Sequence, residues 1–399
     1  MTRLIVPFDR SWRMPIPIRV SRAVRVGDLL FTCGQVDLDG HGRPQHPGDL
    51  LAQSARAMAH LYAVLEQGGA AAADLAHLHV FYRDGGGLDE AAYRAALTEM
   101  VGDGAVPVTV LTPLPTLFYS GVEVEIDAVA LAGQGRNARR ALGEGGFPEA
   151  LRAGPMIFAQ ATAAVDAAGR LRHPADPPAQ GAEVLESLKA SLAALGAGLG
   201  DICKVTVYLD SDVPPAAAAA CEKVLRAGFP APGPVRTTVP LPRLGAPGET
   251  LRVEATALQD AAAAGERLTR HPRWASPDPC PWSQGLRCGS LVFAGAQLPL
   301  DATGRISASG DFAKDLSDQT HAAMGHLRAV LGHFGADLGD LVKVNTYYRG
   351  GADPEALHRN LEIRSGYYAD PGPASTGMPL PALAPAGALI SIDAVAALP

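Results

Sequence analysis

Pro107-Val-Thr-Val-Leu-Thr-Pro-Leu-Pro-Thr-Leu117 returns as Pro234-Val-Arg-Thr-Thr-Val-Pro-Leu-Pro-Arg-Leu244 and again as Pro373-Ala-Ser-Thr-Gly-Met-Pro-Leu-Pro-Ala-Leu383. Recurrence of this kind marks a repeated unit, and it bears on the architecture before any single element is assigned. The third position differs between copies, being Thr109, Arg236 and Ser375. Eighteen residues further on each copy carries an acid: Asp127, Glu254 and Asp393. Only the middle copy sets a cation beside its carboxylate.

Outward from this pattern the three copies align throughout. An apolar strand opens each, over 28–35, 155–162 and 290–297, and a turn rich in Asp and Gly follows in copies such as Asp37 to Gly40 and Asp301 to Gly304. Apolar spacing of three and four predicts a helix over 50–67, 182–195 and 316–334. A β-rich strand comes next (78–83, 204–209, 343–348), then a second helix (89–100, 215–227, 354–368), then the quoted pattern and a closing strand (122–131, 251–258, 389–398). The order β-β-α-β-α-β-β describes an α+β fold, a mixed sheet with two helices on one face. The bare face needs a cover, and the other two copies supply it in a closed pseudo-threefold assembly, with sheets at the centre and helices outside. The expected domains are 1–133, 146–259 and 273–399, and the stretches 133–146 and 259–274 read as linkers.

Alternation along the closing strands assigns faces. Val122, Val124, Ile126 and Ala128 share one side, while Glu123, Glu125 and Asp127 share the other. Glu254 and Asp393 fall on that second side in their own copies. Turn residues Gly245-Ala-Pro-Gly248 separate the patterned strand from the closing strand, so the sequence predicts a hairpin that sets Arg236 across from Glu254, with Thr238 in the same cleft. A guanidinium offers a planar fork to a ligand carboxylate, and a nearby glutamate can orient water or carry a proton. The competing reading is a plain inter-strand ion pair. Asp127 and Asp393, lacking that cation, are secondary candidates.

Composition narrows the classes. The chain has 399 residues, 47% of them hydrophobic, and a net charge of -7. These values fit a globular protein and argue against a general nucleic-acid binder, since Lys189, Lys204, Lys223, Lys314 and Lys343 are all the lysines available to meet phosphate. No apolar run reaches membrane-spanning or signal-peptide length, so a cytoplasmic protein without membrane contact is expected. Cys33, Cys203, Cys221, Cys280 and Cys288 lack metal spacing and read as reduced core thiols, with Cys33 kept as a secondary site candidate. No metal is expected at the histidines. No cofactor is expected either, for there is no Gly-x-Gly-x-x-Gly after a strand and no P-loop.

The segments 234–239 (Pro-Val-Arg-Thr-Thr-Val), 253–257 (Val-Glu-Ala-Thr-Ala), 31–35 (Phe-Thr-Cys-Gly-Gln) and 282–285 (Trp-Ser-Gln-Gly) make each copy resemble the RidA family, also called the YjgF family. The resemblance implies chorismate-mutase-like subunits that trimerise, with ligand sites between subunits. It implies further that Arg236 binds a substrate carboxylate, that Glu254 positions water to hydrolyse an enamine or imine, and that Thr238 and Trp282 line the same site. Thr109 and Leu111 in copy one, and Ser375 and Gly377 in copy three, depart from that pattern, so their clefts are expected to be degenerate. The run 373–377 also resembles the chorismatases, which use a similar fold on one longer chain. Three functions are therefore open: hydrolysis of an enamine, imine or related small carboxylate; a biosynthetic tautomerisation, cyclisation or chorismatase-like cleavage; and non-catalytic metabolite binding.

Overall fold

The computed structural model describes residues 3–8, 12, 14–85, 88–102, 106–142, 148–163, 165–166, 170–269 and 282–399. Cys280 lies outside the described residues. The first unit contains β1 (Arg3–Val6), β2 (Ala23–Val26), β3 (Leu29–Thr32), α1 (Leu50–Gln67), β4 (Leu75–Arg83), α2 (Glu90–Val101), β5 (Val108–Leu114) and β6 (Val124–Leu131). The second contains β7 (Arg139–Leu142), β8 (Pro148–Ala153), β9 (Met156–Thr162), α3 (Pro177–Ala194), β10 (Ile202–Asp210), α4 (Pro215–Gly228), β11 (Val235–Leu241) and β12 (Leu251–Leu258). After the single turn α5 (Ala261–Ala264), the third contains β13 (Glu266–Leu268), β14 (Gly285–Cys288), β15 (Leu291–Gln297), α6 (Phe312–His333), β16 (Leu341–Arg349), α7 (Glu355–Ser365), β17 (Ala374–Leu380) and β18 (Ile390–Ala397).

The long helices start alike because an aspartate caps each. Asp49, Asp176 and Asp311 accept hydrogen bonds from the free N–H groups of the first turns of α1, α3 and α6. Ala57, Leu61 and Val64 then follow at helical spacing and are fully buried against the first sheet.

Each unit forms one six-stranded sheet of common order, β1-β2-β3-β6-β4-β5 in the first and its equivalents in the others. Two expectations are corrected by this order. The stretches 133–146 and 259–274 are not merely linkers, since β7 pairs with β8 and β13 with β14. An open sheet edge has unpaired backbone groups, and the incoming chain satisfies them. The second and third units therefore begin earlier than 146 and 273.

The second correction concerns the hairpin. β11 and β12 are not neighbours, because β10 lies between them, parallel to β11 and antiparallel to β12. A parallel pair requires a crossover, and α4 provides it, as α2 and α7 do elsewhere. Arg236 is level with Val205 and Ala255, whereas Glu254 is level with Thr206 and Thr237. Side chains one row apart point to opposite faces. Arg236 and Glu254 do not face one another.

The bare sheet faces cover each other. Phe31 and Phe118 of the first unit, Phe158 and Val235 of the second, and Phe293 and Tyr347 of the third belong to one continuous buried cluster. Ser21 bonds to the backbone of the third unit, its N–H to the Pro373 carbonyl at 2.9 Å and its hydroxyl to that of Gly372 at 2.7 Å. Ser283 repeats the contact from the third unit onto Pro234 and Gly233 of the second. Arg252 carries the second unit onto the first through the Leu111 carbonyl and Glu90. The ring of three is closed within one chain.

Candidate functional site

The three repeated acids each face a basic side chain from a neighbouring unit. Lys343 of the third unit reaches Asp127 of the first at 2.8 Å, and Thr376 donates to the same oxygen at 2.6 Å. Lys204 of the second reaches Asp393 of the third, joined by Thr237 at 2.8 Å and Asn345 at 2.9 Å. His77 of the first lies 3.2 Å from Glu254 of the second, which also accepts from Tyr208 at 2.8 Å. His77, Lys204 and Lys343 hold one register position, level with Val108, Val235 and Ala374. Burial works to raise the Glu254 carboxyl, but the facing His79 and His77 more than reverse this and hold it well below the usual range. Burial pushes His79 down to about 4. This is a ring of inter-unit bonds, with each acid already satisfied.

Three clefts separate the units, and each sets the patterned strand and second helix of one unit against the opening and closing strands of the next. Arg236 lies in the cleft between the second and third units, whereas Glu254 lies between the first and second. Glu222 of α4 already sits on the Arg236 guanidinium. Trp282 of the third unit donates its indole N–H to Glu222 at 2.8 Å, and the guanidinium lies 4.9 Å from its ring centre. A neighbouring unit thus sets an aromatic beside Arg236, and a carboxylate of the protein itself occupies the fork. Thr238 is half-buried on the same strand face. At Gly295 a Cβ would stand 2.9 Å from the Arg236 backbone, so the strands close tightly over this cleft. In the cleft of the first and second units Arg94 donates to the Thr109 carbonyl at 3.0 Å, leaving a cavity of about 20 Å³.

The cleft between the first and third units is different. It holds a cavity of about 50 Å³ lined by Ser375, Gly377 and Arg364 on one side and Cys33, Gly34 and Glu125 on the other. Ser375, where the pattern elsewhere has arginine, receives a hydrogen bond at 3.2 Å from Nη1 of Arg364, which arrives from the end of α7. Arg364 is 1% exposed and also donates to Asn360 at 3.0 Å and Tyr368 at 3.4 Å. No acidic side chain among the described residues pairs with it.

Opposite, Glu125 is buried and its Oε2 has no hydrogen-bond partner. Burial, reinforced by the Asp127 charge, holds its carboxyl well above the usual range, only partly offset by Lys343. Burial thus favours its neutral form over the carboxylate. Gly34 makes the position possible, because a Cβ there would fall 1.6 Å from Oε1 of Glu125. The hydroxyl of Tyr348, also buried, lacks a partner. Cys33 does line this cleft, but burial pushes its thiol up to about 12, so it is no ready nucleophile. Trp12, Phe8, Met14 and Phe118 form apolar walls.

Sequence reading placed Glu125 on the correct face and passed over it; its signal was three acids alternating along one strand. Arg364 was missed altogether. Nothing in a helix-end arginine announces that it will fill the space left by a serine on another element.

Comparison with known proteins accords with this architecture. The family model for endoribonuclease L-PSP matches three times, over residues 17–132, 138–259 and 275–398. The chain belongs to this family, in three fused copies. A RutC family protein of Pyrococcus abyssi is 30% identical over 117 residues, covering 29% of this chain and 85% of the relative. A RutC family protein of Sinorhizobium fredii is 30% identical over 119 residues, covering 30% and 87%. Among solved structures a chorismatase aligns with a TM-score of 0.55 at 14% identity, over 82% of this chain and 93% of its own. That likeness is one of fold and extends over most of both chains. No helix among the described residues is long and apolar enough to cross a membrane.

Proposed function

We propose that the chain is an enzyme acting by general-acid catalysis on a small molecule in the cleft between its first and third units, with hydrolysis of an imine or enamine as the reaction. The observation that carries this reading is Glu125: a buried carboxyl without a hydrogen-bond partner on Oε2, at the wall of an inter-unit cavity, where burial raises it above the usual carboxylate range. A buried acid kept protonated near neutral pH is suited to donate a proton.

For an imine the steps balance without a cofactor. Glu125 protonates the imine nitrogen, and water adds to the carbon while the resulting carboxylate takes a proton from it. The carboxyl then protonates the amine, the C–N bond breaks, and the oxygen loses its proton back to Glu125. Imine and water become a ketone and ammonia, and the carboxyl ends as it began. No covalent intermediate is needed, which agrees with the neutral thiol of Cys33.

Ammonia release from imino acids generated in situ by an amino-acid oxidase tests this. The wild-type chain should accelerate release, and Glu125→Gln should lower kcat by about 100-fold or more, the usual contribution of a positioned acid. Equal acceleration by the variant would remove Glu125 from the mechanism.

A further inference from the structure

We infer that Arg364 is an anion seat that has moved from the patterned strand to the neighbouring helix, and that it binds one carboxylate of an apolar-bodied monoanion. This rests on the reading of the same cleft as the working site, and it adds the group that would select and hold the substrate.

The argument begins with charge. Arg236 is answered by Glu222, and Arg94 has Glu90 at 3.8 Å. Arg364 is more buried than either by side-chain exposure and meets only the neutral groups of Asn360, Tyr368 and Ser375. A buried cation without a counter-ion is costly, and a ligand anion would relieve it. The guanidinium is fixed on its Nε side by Asn360 and on Nη1 by Ser375, so its orientation is set before anything binds. A fork held in this way suits a carboxylate.

Sequence differences at the cleft support the move. Ser375 carries no charge for a ligand anion, yet its hydroxyl accepts from Arg364 and so orients it. Gly377, the counterpart of Thr238, removes a side chain from the same face: a Cβ there would meet only Leu357 at 3.6 Å and Tyr348 at 3.9 Å. The two small residues that depart from the pattern make room for the relocated cation and for what it holds.

The remaining surface sets the ligand class. Apart from Arg364 the cavity offers an acid whose neutral form burial favours, a neutral thiol and apolar walls that include Trp12 and Phe118. A first carboxylate is matched by Arg364. A second would be desolvated with no second cation to answer it, only neutral donors, which is unfavourable. The ligand is accordingly a monocarboxylate with an apolar body, and dicarboxylates are disfavoured.

Calorimetric titration of the full chain with isovalerate and with succinate provides the test. Isovalerate should bind, succinate should bind at least 10-fold more weakly, and Arg364→Met should weaken isovalerate by about 100-fold or more, as expected when one partner of a buried charge pair is removed. Gly377→Val leaves Arg364 in place and fills the cavity, so it should abolish binding even if Arg364→Met fails to fold. Glu125→Gln should keep isovalerate affinity while losing turnover, which separates this seat from the acid. Unchanged isovalerate binding in folded Arg364→Met or in Gly377→Val, or none to the wild type, would overturn the seat. Succinate binding as tightly as isovalerate would overturn the monocarboxylate class.

Discussion

At the scale of single residues, Glu125 shows how one carboxyl can serve chemistry while its near neighbour serves structure. Asp127 lies two residues along the same strand, faces the same side, and is held below its usual range because Lys343 outweighs the burial that would raise it. Glu125 has the burial with only a partial offset from Lys343. Its folded-state value is above its unfolded value of about 4.3, so its contribution to stability is fully present below that pH and is lost as pH rises through the folded value. Glutamine has no charge to bury. Thermal denaturation across pH should therefore show Glu125→Gln gaining on the wild type as the solution becomes more alkaline, and the wild-type rate should fall over the range where Glu125 ionises. A constant difference in Tm from pH 4 to 9 would mean that the carboxyl is not held neutral.

At the scale of elements, the repeat, both helices and the later strands were legible because each copy independently shows the same periodicity; the helix expected over 50–67 is observed as Leu50–Gln67, but three strands precede the first helix of each unit where two were expected. The strand order was not legible. Residues 245–248 read locally as a hairpin turn, but β10, far earlier in the chain, separates the strands on either side, and no local pattern encodes such an insertion. Every site expectation that paired Arg236 with Glu254 failed for this reason. The second helices explain the rest: α2, α4 and α7 present Arg94, Glu222 and Arg364 to the same strand position, so each cleft has a different charge. Glu222 mimics a bound carboxylate on Arg236, and Glu222→Gln should free that fork. The variant should lose about 1 kcal/mol or less, a modest amount because both side chains are partly exposed. Millimolar isovalerate should then raise its Tm beyond the wild-type shift. Equal shifts in the two proteins would show that Arg236 remains closed.

At the scale of the whole molecule, fusion allows the three clefts to differ while the ring that joins them keeps its pattern. Lys343, Lys204 and His77 all reach forward to the acid of the next unit, and only the type of basic side chain varies. Around that ring runs one buried cluster shared by all three units. Units joined in this way should unfold together, even though chains with several domains commonly do not. Lys343→Met leaves Asp127 buried and uncompensated, a loss of about 3–5 kcal/mol, and Asp127→Asn does the converse to Lys343. The double variant removes both charges and should recover much of that loss, so the two changes will be strongly non-additive. Urea denaturation followed by both tryptophan fluorescence and far-ultraviolet circular dichroism measures this. The expected result is a single transition in every variant, displaced as a whole although the altered residues belong to units one and three. A second transition appearing in Lys343→Met, with the middle unit unaffected, would show that the units are stable separately and that the ring serves alignment of the clefts rather than cohesion of the fold.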